Sequence, residues 1–355
     1  MPRIHAEEMH RIGCNLFEAV GCSPSDTVKI VDHLVQSSLF GHDSHGQLRF
    51  YEYIYQIREG LFQPTGSPRI EKDYTCAAVV NGGGALGQIG ATFATQLAIE
   101  KARKNGIATI TLRNTAHVGR VGAYPLLIAD DGLVGLVFCN AGHMGRQIAP
   151  YGGIDGKLST NPIAFAAPRR ETRPLLVDMT TSVCAEGKIR ISANKDEELP
   201  EGWILNSHGK PSTVATDYTG DPPGAILPLG GSAGYKGYCL SFIVEILGGA
   251  LSGQGCASGE QRMESNGLCI NAYSIEAFTD MDTYFNEIEA LIRHVKSSRT
   301  DDTTEEILVP GDPEYRMEEV RSRDGIPIDD ETWKQIKQAA VSIGLDPTQW
   351  KTISE

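Results

Sequence analysis

One short segment of the chain concentrates side chains that are common in catalytic sites. Residues 41–53 have the sequence GHDSHGQLRFYEY and carry six such groups: His42, Asp43, Ser44, His45, Arg49 and Tyr53. The planar guanidinium of Arg49 suits a carboxylate, because it can donate two parallel hydrogen bonds. If the segment is helical, Tyr53 lies on the same face as Arg49, four residues later. A hydroxyl beside a histidine, as in Ser44 and His45, can hold the imidazole in one tautomer.

Three other interpretations compete for this segment. A serine hydrolase would need Gly-x-Ser-x-Gly, and His42 stands where the first glycine belongs, which argues against that class. His42 and His45 are spaced as in some zinc sites, but no third ligand follows at a known spacing. A polar helix cap with surface histidines explains the segment about as well as a catalytic site does.

A second candidate lies in residues 113–125, RNTAHVGRVGAYP. His117 follows a predicted strand, and Gly119 and Gly122 precede a predicted helix. A loop histidine at the end of a strand suits proton transfer. Backbone amides exposed by such glycines can face a phosphate at a helix N-terminus. The alternative is a histidine that only satisfies backbone groups of its loop.

Three further stretches have the composition of site loops: LSTNPIAFAAP (158–168), LLVDMTTS (175–182) and PLGGSAGYKGY (228–238). Asp178 ends a predicted strand and is followed by hydroxyl side chains. Lys236 lies among glycines, which suits a phosphate or a carboxylate. Each stretch alone is more often ordinary turn chemistry.

The segment NGGGALGQIG (81–90) contains Gly82, Gly84 and Gly87 in the pattern G-x-G-x-x-G. A Rossmann site needs this turn between a strand and a helix, and an acidic residue about 20 positions later. The next predicted strand, GIATITL, ends in Arg113 without such an acid, although an arginine can meet a 2′-phosphate. A tight turn with close packing between helix and strand is the competing interpretation.

These candidates need elements to position them, and hydrophobic periodicity predicts which ones. Helices are expected over residues 9–20, 28–39, 88–104, 282–296, 313–323 and 330–343, with a wholly buried helix over 238–251. Apolar runs predict strands at CAAVV, GIATITL, GLVGLVFC, PIAFAAP and PLLVDM. We therefore expect a helical domain from residues 1–74 with 298–355 and an α/β body from 75–297. The charged run 299–306 is expected to be a solvated linker.

Composition limits the classes of function. The chain has 355 residues and a formal net charge of −13, which disfavours broad nucleic-acid binding and anionic membranes. No apolar run reaches the length of a membrane helix, and the N-terminus lacks a secretory signal. Its eight cysteines form no C-x-x-C pair. That pattern favours reduced thiols in a cytoplasmic protein.

Taken in order, the motifs resemble one family. They are GHDSHG, LGQ (86–88), HVGRVGAYP, APYGG (149–153), STNPIAFAAP, LLVDMTTS, LPEGW (199–203), KGY, EILGGALSG (245–253) and VPGDPE (309–314). Together they resemble the malate/L-lactate dehydrogenase family of the second type, which includes hydroxycarboxylate, ureidoglycolate and sulfolactate dehydrogenases and an imino-acid reductase. GHDSHG, HVGRVG and VPGDPE are most similar to the hydroxycarboxylate dehydrogenase branch.

The resemblance implies a fold and an activity. The fold would be α/β, of the α+β type, with a non-Rossmann NAD(P)-binding domain, a mostly antiparallel sheet and a helical domain from both chain ends. Gly82, Gly84 and Gly87 would then be structural. The reaction would transfer a hydride between NAD or NADP and a small 2-oxo or 2-hydroxy acid, in a homodimer.

The resemblance also assigns residues. His117 would be the general acid/base and Arg49, assisted by Tyr53, would hold the substrate carboxylate. Ser44 and His45 would form a supporting relay near the nicotinamide, and members differ over which histidine moves the proton. The implied cofactor contacts are His45, Gly119, Arg120, Asp178, Thr180, Ser182, Lys236, Pro310 and Gly311.

One loop departs from the family pattern. Between Asn140 and Pro150 the chain has AGHMGRQIA, where His143 and Arg146 would either contact substrate or nicotinamide or belong to a solvated loop. The substrate side chain and the choice between NAD and NADP stay open at this stage. So do three alternatives: a reductase of a cyclic imino acid, a metal-dependent lyase or hydrolase using His42, His45 and His117, and a non-catalytic nucleotide-binding protein.

Overall fold

A seven-stranded sheet forms the centre of the α/β body in the computed structural model, which describes residues 2–195, 197–258 and 265–353. In spatial order its strands are β2 (Arg69–Asp73), β3 (Ala77–Asn81), β4 (Ile107–Arg113), β11 (Gly267–Tyr273), β5 (Val134–Asn140), β6 (Ile163–Ala167) and β7 (Leu175–Met179). Among these strands only β3 and β4 run parallel, and the other neighbours are antiparallel. The expectation of a mostly antiparallel sheet is confirmed.

Two helices cover one face of this sheet: α4 (Gly87–Asn105) and α5 (Ala123–Asp130). The buried stripe of α4 consists of small residues, Ala91, Ala94, Ala98 and Ala102, at helical spacing. Small side chains let the helix axis lie close to the strands, so the isoleucines and leucines of β4 and β11 fill the remaining space. The predicted helix 88–104 is confirmed within a residue at each end.

A separate hydrophobic cluster joins the two ends of the chain. It is formed mainly by α1 (Ala6–Ala19), α2 (Pro24–Leu39), α3 (Arg49–Arg58) and α11 (Asp330–Ser342). The short strands β1 (Arg3–Ile4) and β12 (Ile326–Pro327) pair antiparallel beside it. Ser23 caps α2 by accepting a hydrogen bond from the Asp26 amide, and Asp329 caps α11 through the Thr332 amide. Helix α10 (Asp312–Asp324) packs on α2.

The remaining elements surround the sheet. A small three-stranded sheet contains β8 (Ile204–Leu205), β9 (Pro211–Ser212) and β10 (Ala225–Ile226), next to α6 (Glu186–Lys195) and α7 (Ala215–Thr219). Helix α8 (Tyr235–Val244) continues into a π-helical segment (Glu245–Leu251), and α9 (Met281–Lys296) follows β11. No described helix is long and apolar enough to cross a membrane.

Two expectations differ from the structure. The helix predicted to be buried over 238–251 exposes Phe242, Ile243, Ile246 and Leu251, because only its opposite face packs on the sheet. Strand β2 lies in the sheet although it precedes residue 75, so the sheet starts at Arg69. All eight cysteines are free thiols; four of them are buried and Cys239 is exposed.

Candidate functional site

The catalytic candidates meet where the helical cluster faces the loop after β4. The imidazoles of His45 and His117 stack, with ring centroids 5.4 Å apart and planes at 28°. Ser44 Oγ lies 3.0 Å from His45 Nδ1, and Tyr53 Oη lies 2.7 Å from His117 Nδ1. Each histidine thus has a hydroxyl partner at Nδ1, which leaves its Nε2 for another group.

Local helix geometry brings these residues together. Asp43–His45 form a single 3₁₀ turn, and α3 starts four residues later at Arg49, so Arg49 and Tyr53 lie one turn apart. Arg49 Nε donates to the Ser44 carbonyl at 2.8 Å, and its guanidinium pairs with Glu52. The 3₁₀ turn is anchored from a distance, because Arg321 of α10 donates to both carboxylate oxygens of Asp43.

Burial decides the charge state of both histidines. It lowers the pKa of His117 and of His45 well below the usual value, and the positive charge of Arg49 lowers both further. Both rings are therefore neutral near pH 7, and a neutral imidazole can accept a proton. An anion paired with Arg49 would offset the positive charge that repels a proton from His117, and would thereby raise the pKa of His117.

The loop after His117 is held by groups on two helices. His33 Nε2 of α2 accepts the Arg120 amide at 2.9 Å, and burial lowers the pKa of His33 to about 3, so this acceptor stays neutral. Gln88 of α4 donates to Tyr53 Oη at 3.2 Å. At Gly87 a Cβ would overlap the His117 carbonyl and lie 2.5 Å from Val118 Cα, so this position accommodates only glycine.

Several predicted cofactor residues lie along β7 and the segment that follows it. The Gly122 amide donates to Asp178 Oδ2 at 2.8 Å, and the Leu176 amide donates to the Pro310 carbonyl at 3.1 Å, with Gly311 packed on Leu176. Burial raises the pKa of Asp178, while Arg120 and the Gly122 amide oppose that shift.

Backbone bonds connect the same region with the start of α8. The Leu229 amide donates to Thr181, and the Gly237 amide donates to Leu229. Lys236 is therefore placed beside the segment that carries Thr180 and Ser182, with its own side chain exposed.

Two of the predicted cofactor contacts point into the protein. The Arg120 guanidinium is buried over the Phe40 ring, donates to Gln36 Oε1 at 2.9 Å and lies 3.9 Å from Asp178. Ser182 Oγ is buried and donates to the Cys184 carbonyl at 2.7 Å. In the structure both side chains therefore lie in the protein interior.

In the loop between Asn140 and Pro150, which departs from the family pattern, Arg146 is described. Arg146 Nε donates to the Ala257 carbonyl at 2.8 Å. His143 lies in a short 3₁₀ helix, Gly142–Gly145, and its side chain is outside the described part of the structure. His42 Nε2 lies 3.6 Å from a carboxylate oxygen of Glu314 in α10. Within the described ranges no three His, Cys, Asp or Glu side chains are grouped as a metal site.

Residues missed by the sequence analysis complete this site. Glu52, His33 and Asn266 contact Arg49, the Arg120 amide and the Val118 amide, respectively. His33 lies on the buried face of a predicted amphipathic helix, and a histidine among buried residues could have been identified from the sequence as a candidate for a polar contact. No sequence pattern identifies Asn266, because its contact with the Val118 amide spans 148 positions of the chain.

Comparisons with known proteins found matches over nearly the whole chain. The profile of the malate/L-lactate dehydrogenase family matches residues 4–337. The malate dehydrogenase of Pyrococcus abyssi is 33% identical over 352 residues, which covers 97% of this chain and 95% of that protein. Hydroxycarboxylate dehydrogenase B of Escherichia coli K12 is 33% identical over 348 residues, with coverages of 97% and 95%. The structure of sulfolactate dehydrogenase from Methanocaldococcus jannaschii superimposes with a TM-score of 0.87 at 30% identity and covers 99% of both chains.

Proposed function

Because the chain belongs to the malate/L-lactate dehydrogenase family, it is an oxidoreductase of small 2-hydroxy and 2-oxo acids, and we propose that its reaction is centred on His117. The observation that carries this assignment is the contact of Tyr53 with His117 Nδ1 next to Arg49. In this arrangement His117 can transfer a proton, Tyr53 orients its ring, and Arg49 supplies a nearby positive charge for a carboxylate.

The proton path follows from this contact. In this proposal Nδ1–H of neutral His117 donates to Tyr53 Oη, which leaves Nε2 unprotonated. Nε2 then takes the proton from the substrate hydroxyl during oxidation and returns it to the carbonyl oxygen during reduction. Stacking of His45 on the ring limits its rotation, and Ser44 fixes His45 in turn. General acid–base help of this kind is worth roughly 10²–10⁴-fold in rate.

Arg49 positions the acid. Its bond to the Ser44 carbonyl holds the guanidinium beside the 3₁₀ turn, and the substrate carboxylate competes with Glu52 for the remaining donors. Holding the carboxylate there places C2 of the acid near His117, and orientation contributes several kcal/mol, about 7 or more at best. Lactate-like and malate-like acids both carry such a carboxylate, and so does a cyclic imino acid.

NAD or NADP supplies or accepts the hydride when bound. The residues along β7 and the segment after it fit a dinucleotide, because they include the Asp178 carboxylate, the Thr180 hydroxyl and, from the start of α8, the exposed cation of Lys236. Among the described residues Lys236 forms no ion pair, so its charge is available to a diphosphate. Pro310 and Gly311 contact Leu176, near the start of the same strand.

We place the dinucleotide in this region instead of at Gly82, Gly84 and Gly87, which makes the binding mode non-Rossmann. Two observations support this choice. Gly87 packs on His117, and a Cβ at Gly82 would lie 2.7 Å from Thr115 Cβ, so both glycines already have packing partners. We also propose the two-part division of the chain, with the first boundary moved from residue 74 to residue 69 because of β2.

A substrate panel tests the proposed reaction. Oxidation of NADH and NADPH is followed at 340 nm with pyruvate, oxaloacetate, 2-oxoglutarate, hydroxypyruvate, phenylpyruvate and a cyclic imino acid. His117→Gln should lower kcat by roughly 10²–10⁴-fold while cofactor binding, followed by fluorescence, stays unchanged. His294→Gln, which alters an exposed histidine of α9, is the control. Near-normal turnover of His117→Gln would remove the acid–base role.

We further propose a homodimer that covers the exposed face of α8 and the π-helical segment. Phe242 and Ile246 are 48% and 55% exposed, and Ile243 and Leu251 extend the same apolar stripe. A continuous stripe of this kind on a water-exposed helix is typical of an interface. A second copy fits it, because an isologous contact needs one patch only.

The mass in solution tests the dimer. Light scattering should give twice the chain mass for the wild type, and Phe242→Glu with Ile246→Glu should give monomers, since burying two carboxylates is costly. Val341→Glu, an exposed site on α11, should leave the dimer intact. A dimer that survives the double substitution would place the interface elsewhere.

A further inference from the structure

The loop that carries His117 is tied to the centre of the sheet by one buried asparagine. Asn266 directly precedes β11 and is 5% exposed. Its Oδ1 accepts the Val118 amide at 2.9 Å, and its Nδ2 donates to the Asn140 carbonyl at 3.1 Å. A single side-chain amide therefore links the peptide that follows His117 to the end of β5.

The far end of this link is fixed by a buried carboxylate. Glu245 opens the π-helical segment and is 5% exposed. Its Oε2 accepts from Asn140 Nδ2 and from the Ala257 amide, both at 2.9 Å, and its Oε1 accepts from Asn161 Nδ2 at 2.8 Å. Three donors from three separate segments hold the carboxylate, and with it Asn140, in one orientation.

The π-helical segment is shaped for this approach. A Cβ at Gly248 would lie 2.9 Å both from the Asn140 amide nitrogen and from the Gly267 carbonyl oxygen, so glycine is needed where the segment touches the sheet. π-Helical turns often occur at functional sites, where they redirect side chains. Here the turn aims Glu245 inward while Ile246 faces solvent.

We propose that Asn266, oriented through Asn140 by Glu245, is a positioning residue that sets the place of His117. The inference rests on the proposed acid–base role of His117, and neither Asn266 nor Glu245 provides a reacting group. Without the Asn266 bond the Val118 amide loses its acceptor and the peptide after His117 can shift. A displacement of about 1 Å in a catalytic group can cost on the order of 100-fold in rate.

A matched pair of asparagines in the same region tests the proposal. Asn271 of β11 also bridges two strands, since it donates to the Leu136 carbonyl at 3.2 Å and accepts from Thr109 Oγ1 at 2.8 Å, but it does not contact the His117 loop. Asn266→Ala should lower kcat by about 10- to 100-fold with KM and cofactor affinity nearly unchanged. Asn271→Ala should keep kcat within about twofold while lowering the melting temperature comparably. Equal losses of kcat in both variants, or normal kcat in Asn266→Ala, would overturn the proposal.

Glu245→Gln provides a second test that creates no cavity and serves even if Asn266→Ala does not fold. It should also lower kcat, because an amide cannot accept from all three donors. The double variant Asn266→Ala/Glu245→Gln should show a smaller fold-loss of kcat than the product of the two single fold-losses, since both residues act on His117 through the same contacts. Fully multiplicative losses would contradict action through the same contacts. His117→Gln separates the proposed function from the positioning role. If His117→Gln retains turnover, the proposed function fails. If His117→Gln is inactive while Asn266→Ala has normal turnover, only the positioning role of Asn266 fails.

Discussion

At the scale of single residues, the site depends on hydroxyl groups that hold imidazole rings. Tyr53 is 1% exposed and its hydroxyl reaches His117 Nδ1, with Gln88 as a further donor to the same oxygen. The tyrosine was expected to assist a carboxylate. In the structure its hydroxyl lies against His117 and so orients that imidazole, while its assistance to a carboxylate stays a prediction.

Tyr53→Phe tests this role. Removing the hydroxyl leaves His117 Nδ1 without its partner, so kcat should fall by about tenfold and the pH dependence of turnover should change. Unfolding free energy should fall by about 1 kcal/mol for the lost hydrogen bond. Tyr315→Phe, which loses a bond to the Pro174 carbonyl at 2.8 Å, is the control for stability. If the two variants have the same turnover as the wild type, the hydroxyl has no part in the reaction.

Residue types at the site were largely predictable from the sequence, but their pairing was not. Ser44, His45, Arg49 and Tyr53 lie close in sequence and in space, so local spacing identified them. His117 joins them across 64 positions from Tyr53, and no periodic pattern encodes that distance. The resemblance implies a cofactor contact for Arg120; in the structure its guanidinium is buried over Phe40, and the cofactor contact stays a prediction.

At the scale of elements, the start of α4 positions the loop that carries His117. Gly87 is the first residue of the helix, and it packs directly against the backbone of His117 and Val118. Gly90, one turn later, faces the Thr115 side chain, where a Cβ would lie 3.0 Å from Oγ1. The two glycines therefore differ in what surrounds them.

Gly87→Ala should push the His117 loop away from the helix. The overlap is with backbone atoms, so we expect a loss of about 1–3 kcal/mol in unfolding free energy and a large loss of kcat. Gly90→Ala has only a hydroxyl to displace and gains helix propensity, so its stability and kcat should change little. Urea unfolding and initial rates measure both quantities. Equal effects of the two substitutions would contradict the close approach at Gly87.

Periodicity predicted elements well where one face alone is buried. α9, α10 and α11 start and end within a few residues of the expected ranges, and five of the strands coincide with apolar runs. β2 was missed because RIEKD is an exposed edge strand, and β11 was missed because GLCINAY interrupts its apolar residues with asparagine. Apolar content suggested a buried helix at 238–251, but content alone does not tell a core from an interface.

At the scale of the whole molecule, buried histidines couple stability to pH. Folding lowers the pKa of His33 from 6.5 to about 3, because burial disfavours the charged ring and Arg120 repels it. Between these two values the unfolded chain binds more protons than the folded one. The stabilising contribution of His33 is therefore complete above pH 6.5 and is lost progressively as the pH falls.

We expect His33 alone to lower the unfolding free energy by about 2 kcal/mol between pH 7 and pH 5. His33→Gln keeps an acceptor for the Arg120 amide without titrating, so it should lose correspondingly less stability over this range. The raised pKa of Asp178 changes the unfolding free energy in the opposite direction as the pH falls. Because Asp178 is present in both the wild type and His33→Gln, it does not affect their difference. Urea unfolding at the two pH values measures the difference. The same pH dependence in both proteins would show that His33 is protonated without cost.

The position of β11 has a consequence for synthesis of the chain. This strand pairs with both β4 and β5, yet it follows them by more than a hundred residues. Until residue 273 has left the ribosome, β4 and β5 each present an unpaired edge, and such edges are prone to wrong pairing. The two halves of the sheet therefore join late, and the long loop that must close first slows this step.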